Sequence, residues 1–291
     1  MSKTIYNNMS KKYLLAAIVP ALIGFSSCGQ FVSSSSENSS AVAQETAADA
    51  TNATVNTAAL ANVLSAYVDE GGLVDYTSLQ GDRQDLDAYN ASLNLTSQET
   101  FDSWSEAEQI AVLINAYNSL TLKSIVDESP IKDSIKDIVG VWRFNKHGIL
   151  QGKQTLNNIE HDILRENYNE PRIHAALVCA AISCPYLRQE PFTGEALDAQ
   201  LDDQTQIFLS REEAFKIDRE NNVVSLSKIF DWFGQDWVPS FGTDEGFAGS
   251  KNEKAVLNFI SGYLNEEDSA YLKAGGYDIK YTDYDWSLNI Q

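Results

Sequence analysis

The chain has 291 residues, 41 acidic against 21 basic side chains, a net charge of −20 and 43% hydrophobic residues. That composition is globular and excludes collagen-like, low-complexity and wholly disordered chains. The acidic balance excludes a nucleic-acid binder, because neutralising phosphates takes clustered lysine and arginine.

Residues 1–28 read as a lipoprotein signal peptide: Lys3, Lys11 and Lys12 without an acid, an apolar run from Tyr13 to Phe25, then Ser26-Ser27-Cys28. The run is short for a transmembrane helix. Small residues before a cysteine have the form of a lipobox, which makes Cys28 the lipidated first residue of the mature chain. Phe25 departs from the usual aliphatic residue, and a plain secretory peptide is the alternative. The expected location is the bacterial cell envelope, with the membrane as a partner through lipid and not through a polybasic patch. Residues 29–56 are rich in Ser, Ala and Thr, including Ser33 to Ser36 in a row. Such a stretch buries too little apolar surface to offset its ordering entropy, so a flexible tether is expected, followed by a single globular domain over 57–291.

In the folded part, Leu60, Val63, Leu64 and Tyr67 predict a helix over 57–69, ending before Gly71-Gly72. A weaker helix holds Leu86, Tyr89 and Leu93. The strongest signal covers 105–127, where Ser105 and Glu108 suit a capping box and Ile110, Leu113, Ile114, Tyr117 and Leu120 follow at helical spacing. Apolar on most of its circumference, this helix should be central. A helix over 156–166 follows Thr155, and the apolar run Ile173 to Cys179 reads as a buried strand. Further helices are expected at 195–209, 227–233 and 252–264, with short strands at 222–226 and 278–282. Helices with scattered strands and no regular β-α alternation define a helix-rich α+β domain with a small sheet.

With Cys28 assigned to the signal, Cys179 and Cys184 remain. Outside the cytoplasm two cysteines suit a disulfide. A nucleophilic thiolate is the sharper reading, and it needs a base within reach and a third group to hold that base. Of the three histidines, His147, His161 and His174, the last stands five residues before Cys179 and ten before Cys184. On an extended strand His174 and Cys179 point to opposite faces, so Cys184, carried back by the turn at Ser183-Cys184-Pro185, is the better nucleophile. Glu160 falls within the apolar stripe of its helix, where a carboxylate must be paired or protonated. Pairing with His174 would fix the ring's tautomer, as the third member of a triad does. An ion pair with Arg143, Arg165 or Arg172 is the alternative. Asn115 and Asn118, one turn apart on the central helix, ask for buried partners, either as tethers or as an oxyanion donor.

No glycine-rich phosphate loop and no zinc-type spacing is present, so neither cofactor nor metal is expected. Asp231, Asp236, Asp283 and Asp285 stand among Trp232, Trp237, Tyr284 and Trp286. They suit a sugar cleft or a satellite core with a wet rim.

The stretches LINAYNSLTL (113–122), TLNNIEHDILR (155–165), EPRIHAALVCAAISCPYL (170–187), VSLSKIFDWFGQDW (224–237) and YTDYDWSLN (281–289) resemble the domain of unknown function 547 family. The family pattern has glycine in place of Ala180 and a second proline in place of Tyr186. The resemblance implies no established activity. It does imply that Glu160, His174 and Cys184 match positions marked by the family's motif, with a papain-like or transglutaminase-like logic as an analogy of roles. The expectation is therefore a thiol-dependent hydrolase or acyltransferase acting on an amide or acyl bond of a peptide or acyl-type substrate. Cys184 would be nucleophile, His174 base and Glu160 orienter, with Asn115, Asn118 and Arg172 in support. The alternative is a non-enzymatic envelope binding module stapled by a Cys179–Cys184 disulfide. Thiol-disulfide exchange is disfavoured because the spacing is not Cys-x-x-Cys.

Overall fold

The structure is a computed structural model and describes residues 54–291. The expected signal peptide, the expected lipidation site Cys28 and most of the expected tether lie outside the described residues. Among those described, no helix is long and apolar enough to cross a membrane.

Helices α1 (Thr57–Tyr67), α2 (Tyr76–Gly81), α3 (Gln84–Leu95), α4 (Gln98–Asp102) and α5 (Glu106–Val126) form the first half. Helix α1 packs on α3, and α2 and α3 pack on α5. Helix α5 is buried on nearly all sides from Ile110 onward, as its all-round apolar sequence requires. Its Ser105 cap accepts the Glu108 N–H at 3.3 Å, the cap half of the expected box. A full reciprocal box forms instead at Ser250 and Glu253.

The hairpin β1 (His147–Ile149) and β2 (Gly152–Gln154) turns through Leu150 and Gln151, both with φ above +50°. Such a turn normally takes Asn-Gly, so the sequence carried no hairpin signal. It is held from outside: Leu150 N–H donates to Leu93 C=O at 2.9 Å and Gln151 N–H to Asn94 C=O at 3.2 Å.

The second half packs α6 (Leu197–Leu209), α7 (Lys228–Phe233), α8 (Val238–Phe241), α9 (Lys251–Ser261) and α10 (Glu266–Ala274) with a three-stranded sheet. In that sheet β3 (Phe215–Asp218) is antiparallel to β4 (Val223–Leu226), and β4 is parallel to β5 (Asp278–Tyr281). One apolar core surrounds α5; a second gathers Phe230, Trp237, Phe259 and Ile260 beside the sheet. The helix-rich α+β architecture read from the sequence is the one observed.

Two elements differ from the sequence reading, and both carry the site. The expected helix over 156–166 is wound as a π-helix over Asn158–Leu164, followed by an α-turn at Arg165–Asn167. The expected strand Ile173–Cys179 is a 3₁₀ turn over Pro171–Ala175 leading into irregular chain. Pro171 starts that turn and the Glu170 side chain accepts from Arg172 N–H at 3.1 Å. The run is apolar because it threads the core, and its backbone is satisfied by side chains instead of a ladder. Asn118 bonds both Ala176 C=O (3.0 Å) and Val178 N–H (2.9 Å).

Candidate active site

Cys179 and Cys184 are joined in a disulfide, so neither is the free thiolate expected of Cys184, and the staple of the alternative reading is the form observed. The loop between them is pinned from several directions. Ala180 adopts φ +60°, the left-handed conformation that explains a glycine in the family pattern. The C-terminal segment lies alongside: Ile182 N–H donates to Ser287 C=O at 2.9 Å, and Asn289 N–H to Ala180 C=O at 3.1 Å. Buried Arg211 donates to the carbonyls of Cys184 (2.6 Å) and Ile182 (2.9 Å) while lying over the Tyr186 ring. Tyr186, in place of the family's proline, is thus part of the clamp. It also presses on Gly72, where a Cβ would come within 2.6 Å of Tyr186 Cβ.

The C-terminal pairing brings Tyr284 to the sulfurs. Its hydroxyl lies 3.1 Å from Cys184 Sγ and 3.3 Å from Cys179 Sγ, and the Cys179 N–H donates to Cys184 Sγ at 2.9 Å. Trp286 and Trp232 continue the wall, their rings stacked at 5.9 Å, with Trp142 edge-on to Trp286 at 6.0 Å. Trp237, which the sequence grouped with these rings, is instead a core residue, 1% exposed.

His174 is buried, stacked on Phe233 at 4.4 Å, and bonded through Nε2 to Asp236 Oδ2 at 2.8 Å. Arg165 holds the same carboxylate with two bonds (2.6 and 3.0 Å) and reaches His161 Nδ1 at 2.8 Å. Burial works against ionising Asp236, but the hydrogen bonds from His174 and Arg165 outweigh it and bring the carboxyl down to about 2. Burial lowers the His174 pKa, and Asp236 only partly restores it. A neutral ring beside an ionised carboxylate carries its proton on Nε2, leaving Nδ1 as the basic nitrogen. Among the described residues no hydrogen bond engages Nδ1.

His174 is thus paired with Asp236, which corrects the expected Glu160–His174 pair. The sequence showed Asp236 only as an acid among aromatics; its partnership depends on the turn Gly234–Trp237, after α7, returning to the turn that carries His174, and no spacing reports that. Glu160 does point inward, as its stripe position required. Burial raises its pKa, against the pull of His161 and a hydrogen bond with Tyr117. The alternative partners fail as well: Arg165 pairs with Asp236, Arg172 with Glu170, Asp198 and Asp202, and Arg143 has no carboxylate within 4 Å among the described residues.

The supporting residues are structural. Asn115 bonds Phe192 C=O (2.7 Å) and N–H (2.9 Å), and Asn118 ties down 176–178; both are tethers, and neither lines the cavity that holds His174. Arg172 stands outside the cleft.

A cavity of about 250 Å³ collects these groups: the π-helix contributes Glu160 and His161, the 3₁₀ turn His174, the disulfide loop Cys179 and Cys184, and the walls Tyr117, Trp232, Phe233, Tyr284 and Trp286. Cys184 is 3% exposed, while Cys179 is more open. No cluster of three or more metal-ligating side chains occurs among the described residues. The arrangement offers a base, two tyrosine hydroxyls, a carboxyl group and two cysteines lining an aromatic-walled space.

A family model described as a protein of unknown function, DUF547, matches residues 101–209, and the chain resembles that family there. The match includes Glu160, His174 and both cysteines and ends before Asp236 and Tyr284. No curated protein and no solved structure matches the chain.

Proposed function

We propose that the cleft is the active site of a thiol-dependent hydrolase or acyltransferase of the cell envelope, active in its dithiol form on an amide or acyl bond, with the domain held near the membrane through Cys28. The observation that supports it is the convergence of Cys184, of His174 backed by Asp236, and of Glu160 on one cavity. Once reduced, Cys184 attacks the carbonyl carbon, and His174 Nδ1 takes the thiol proton and returns it to the leaving group. Asp236 keeps the ring in the Nδ1-basic tautomer and stabilises the imidazolium that forms. With Asn115 and Asn118 committed to the fold, the oxyanion donors in reach of the cavity are the hydroxyls of Tyr284 and Tyr117.

The test is labelling with a thiol-directed acylating probe after mild reduction of the folded chain. The expected adduct is on Cys184, absent in Cys184→Ala and slowed by 10²-fold or more in His174→Ala, on the order of the loss of a general base. An adduct rate unchanged in His174→Ala contradicts the assignment. The disulfide itself favours a second reading, an aromatic-walled binding module with the bond as a staple. That reading expects ligand uptake by the oxidised chain and, after reduction, an adduct rate indifferent to His174.

A further inference from the structure

We propose that the Cys179–Cys184 disulfide is a reactive centre for exchange with external dithiols, with Cys179 the sulfur attacked and Cys184 the sulfur released. This activity goes beyond acyl transfer and stands whether or not the cleft hydrolyses anything.

A disulfide that serves only as a staple is best placed where it closes a long loop and where nothing else holds the chain. This one spans a sequence separation of five in a segment already fixed on both sides. Arg211 holds the carbonyls of Ile182 and Cys184, the C-terminal segment pairs with Ala180 and Ile182, and Asn118 fixes the approach. None of those contacts is made through the sulfur–sulfur bond. Both cysteines line the cavity, although Cys184 also packs in the core around α5.

The two sulfurs are not equivalent. Exchange requires the incoming thiolate to reach one sulfur, and the other leaves faster the better its charge is stabilised. Cys179 is the more open of the two, whereas Cys184 is buried. Cys184 Sγ accepts the Cys179 N–H at 2.9 Å and lies nearer the Tyr284 hydroxyl. Two donors aimed at one sulfur stabilise it as a thiolate. Donors and access therefore give the same direction of attack.

The first thiol of the dithiol gives its proton to His174 Nδ1, and its sulfur attacks Cys179 Sγ. The Cys179–Cys184 bond breaks and Cys184 leaves as a thiolate. The second thiol attacks the substrate sulfur of the mixed disulfide, releasing Cys179. The dithiol departs oxidised as a disulfide, and its two protons finish on Cys179 and Cys184. The required partner is a dithiol, small or carried on a peptide.

The experiment quenches the native full-length chain with an alkylating reagent at intervals in dithiothreitol, and in parallel with a reduced peptide bearing two cysteines, counting thiols by mass. We expect two new thiols to appear in the folded state with circular dichroism unchanged. Reaction in both arms marks a general dithiol site; reaction with dithiothreitol alone restricts the partner to small dithiols. Tyr284→Phe should slow the reduction about tenfold, the equivalent of one hydrogen bond of roughly 1.4 kcal/mol to the leaving thiolate. Cys184→Ser should trap an oxidised peptide on Cys179 at least tenfold faster than Cys179→Ser traps it on Cys184. A bond that opens only when the chain unfolds overturns the proposal, as does equal trapping by the two serine variants. The acyl-probe result is independent, so failure of one activity is distinguishable from failure of the other.

Discussion

Two groups of buried polar side chains lie close together around α5, and they are used in opposite ways. Asn115 and Asn118 each spend a donor and the acceptor on one neighbouring stretch of backbone, and neither lines the cavity. His174 spends one nitrogen on Asp236 and keeps the other free of any bond among the described residues, while Glu160 sits in the same cavity with its pKa raised by burial. Completed bonding marks the fold; an uncompleted edge facing a cavity marks the chemistry.

The contrast can be broken by mutation, and the asparagines should show the largest effect. Asn118→Ala leaves the Ala176 carbonyl and the Val178 N–H without partners in the core, so it should cost about 3 kcal/mol in denaturant unfolding, summing two unsatisfied groups. A loss under about 1 kcal/mol would mean that the 176–178 segment is not held as described.

Asp236 should follow. Its carboxyl ionises at about 2 in the folded chain and near 3.8 when unfolded, so its stabilisation is complete above about 4 and is lost as pH falls through 2. Allowing for screening at a partly exposed group, this amounts to about 1–2 kcal/mol. The stability difference between wild type and Asp236→Asn should shrink over that interval; a difference that stays constant from pH 5 to 2 would contradict the His174–Asp236–Arg165 arrangement.

Glu160 should behave with the opposite sign. Its pKa is raised above 4.5, so charging it opposes folding as pH climbs past that value. Glu160→Gln should leave stability unchanged at pH 4 and increase it at neutral pH. A variant that loses stability at pH 7 would mean that Glu160 is a paired carboxylate after all.

The smallest effect is expected at Ala180, whose left-handed φ of +60° favours glycine. Ala180→Gly should add up to about 1 kcal/mol, read as a shift of the unfolding midpoint.

What the sequence made legible follows the reach of its signals. Periodicity located α1, α3, α5, α6, α7 and α9 because each has an apolar stripe long enough to repeat. It also put Glu160 on an inward face. The run Ile173–Cys179 was apolar for burial and not for extension, and composition alone cannot separate the two. The β1–β2 hairpin was invisible because Leu150-Gln151 takes its turn from contacts with α3 rather than from its own residue types. Cys179, Cys184 and His174 were singled out by scarcity and nearness in sequence. Asp236 and Tyr284 come to them from 62 and 100 residues away, by chain return, and could be seen only as members of an acidic and aromatic cluster.

The proposed chemistry requires Cys184 to be a nucleophile served by His174. The most direct measurement maps a thiol-directed acylating probe by mass spectrometry on the folded chain, before and after dithiol reduction, in wild type and His174→Ala. The expected result is no label before reduction, label on Cys184 after it, and a much slower adduct without the imidazole. Label on Cys179 alone, or a Cys184 adduct indifferent to His174, would contradict it.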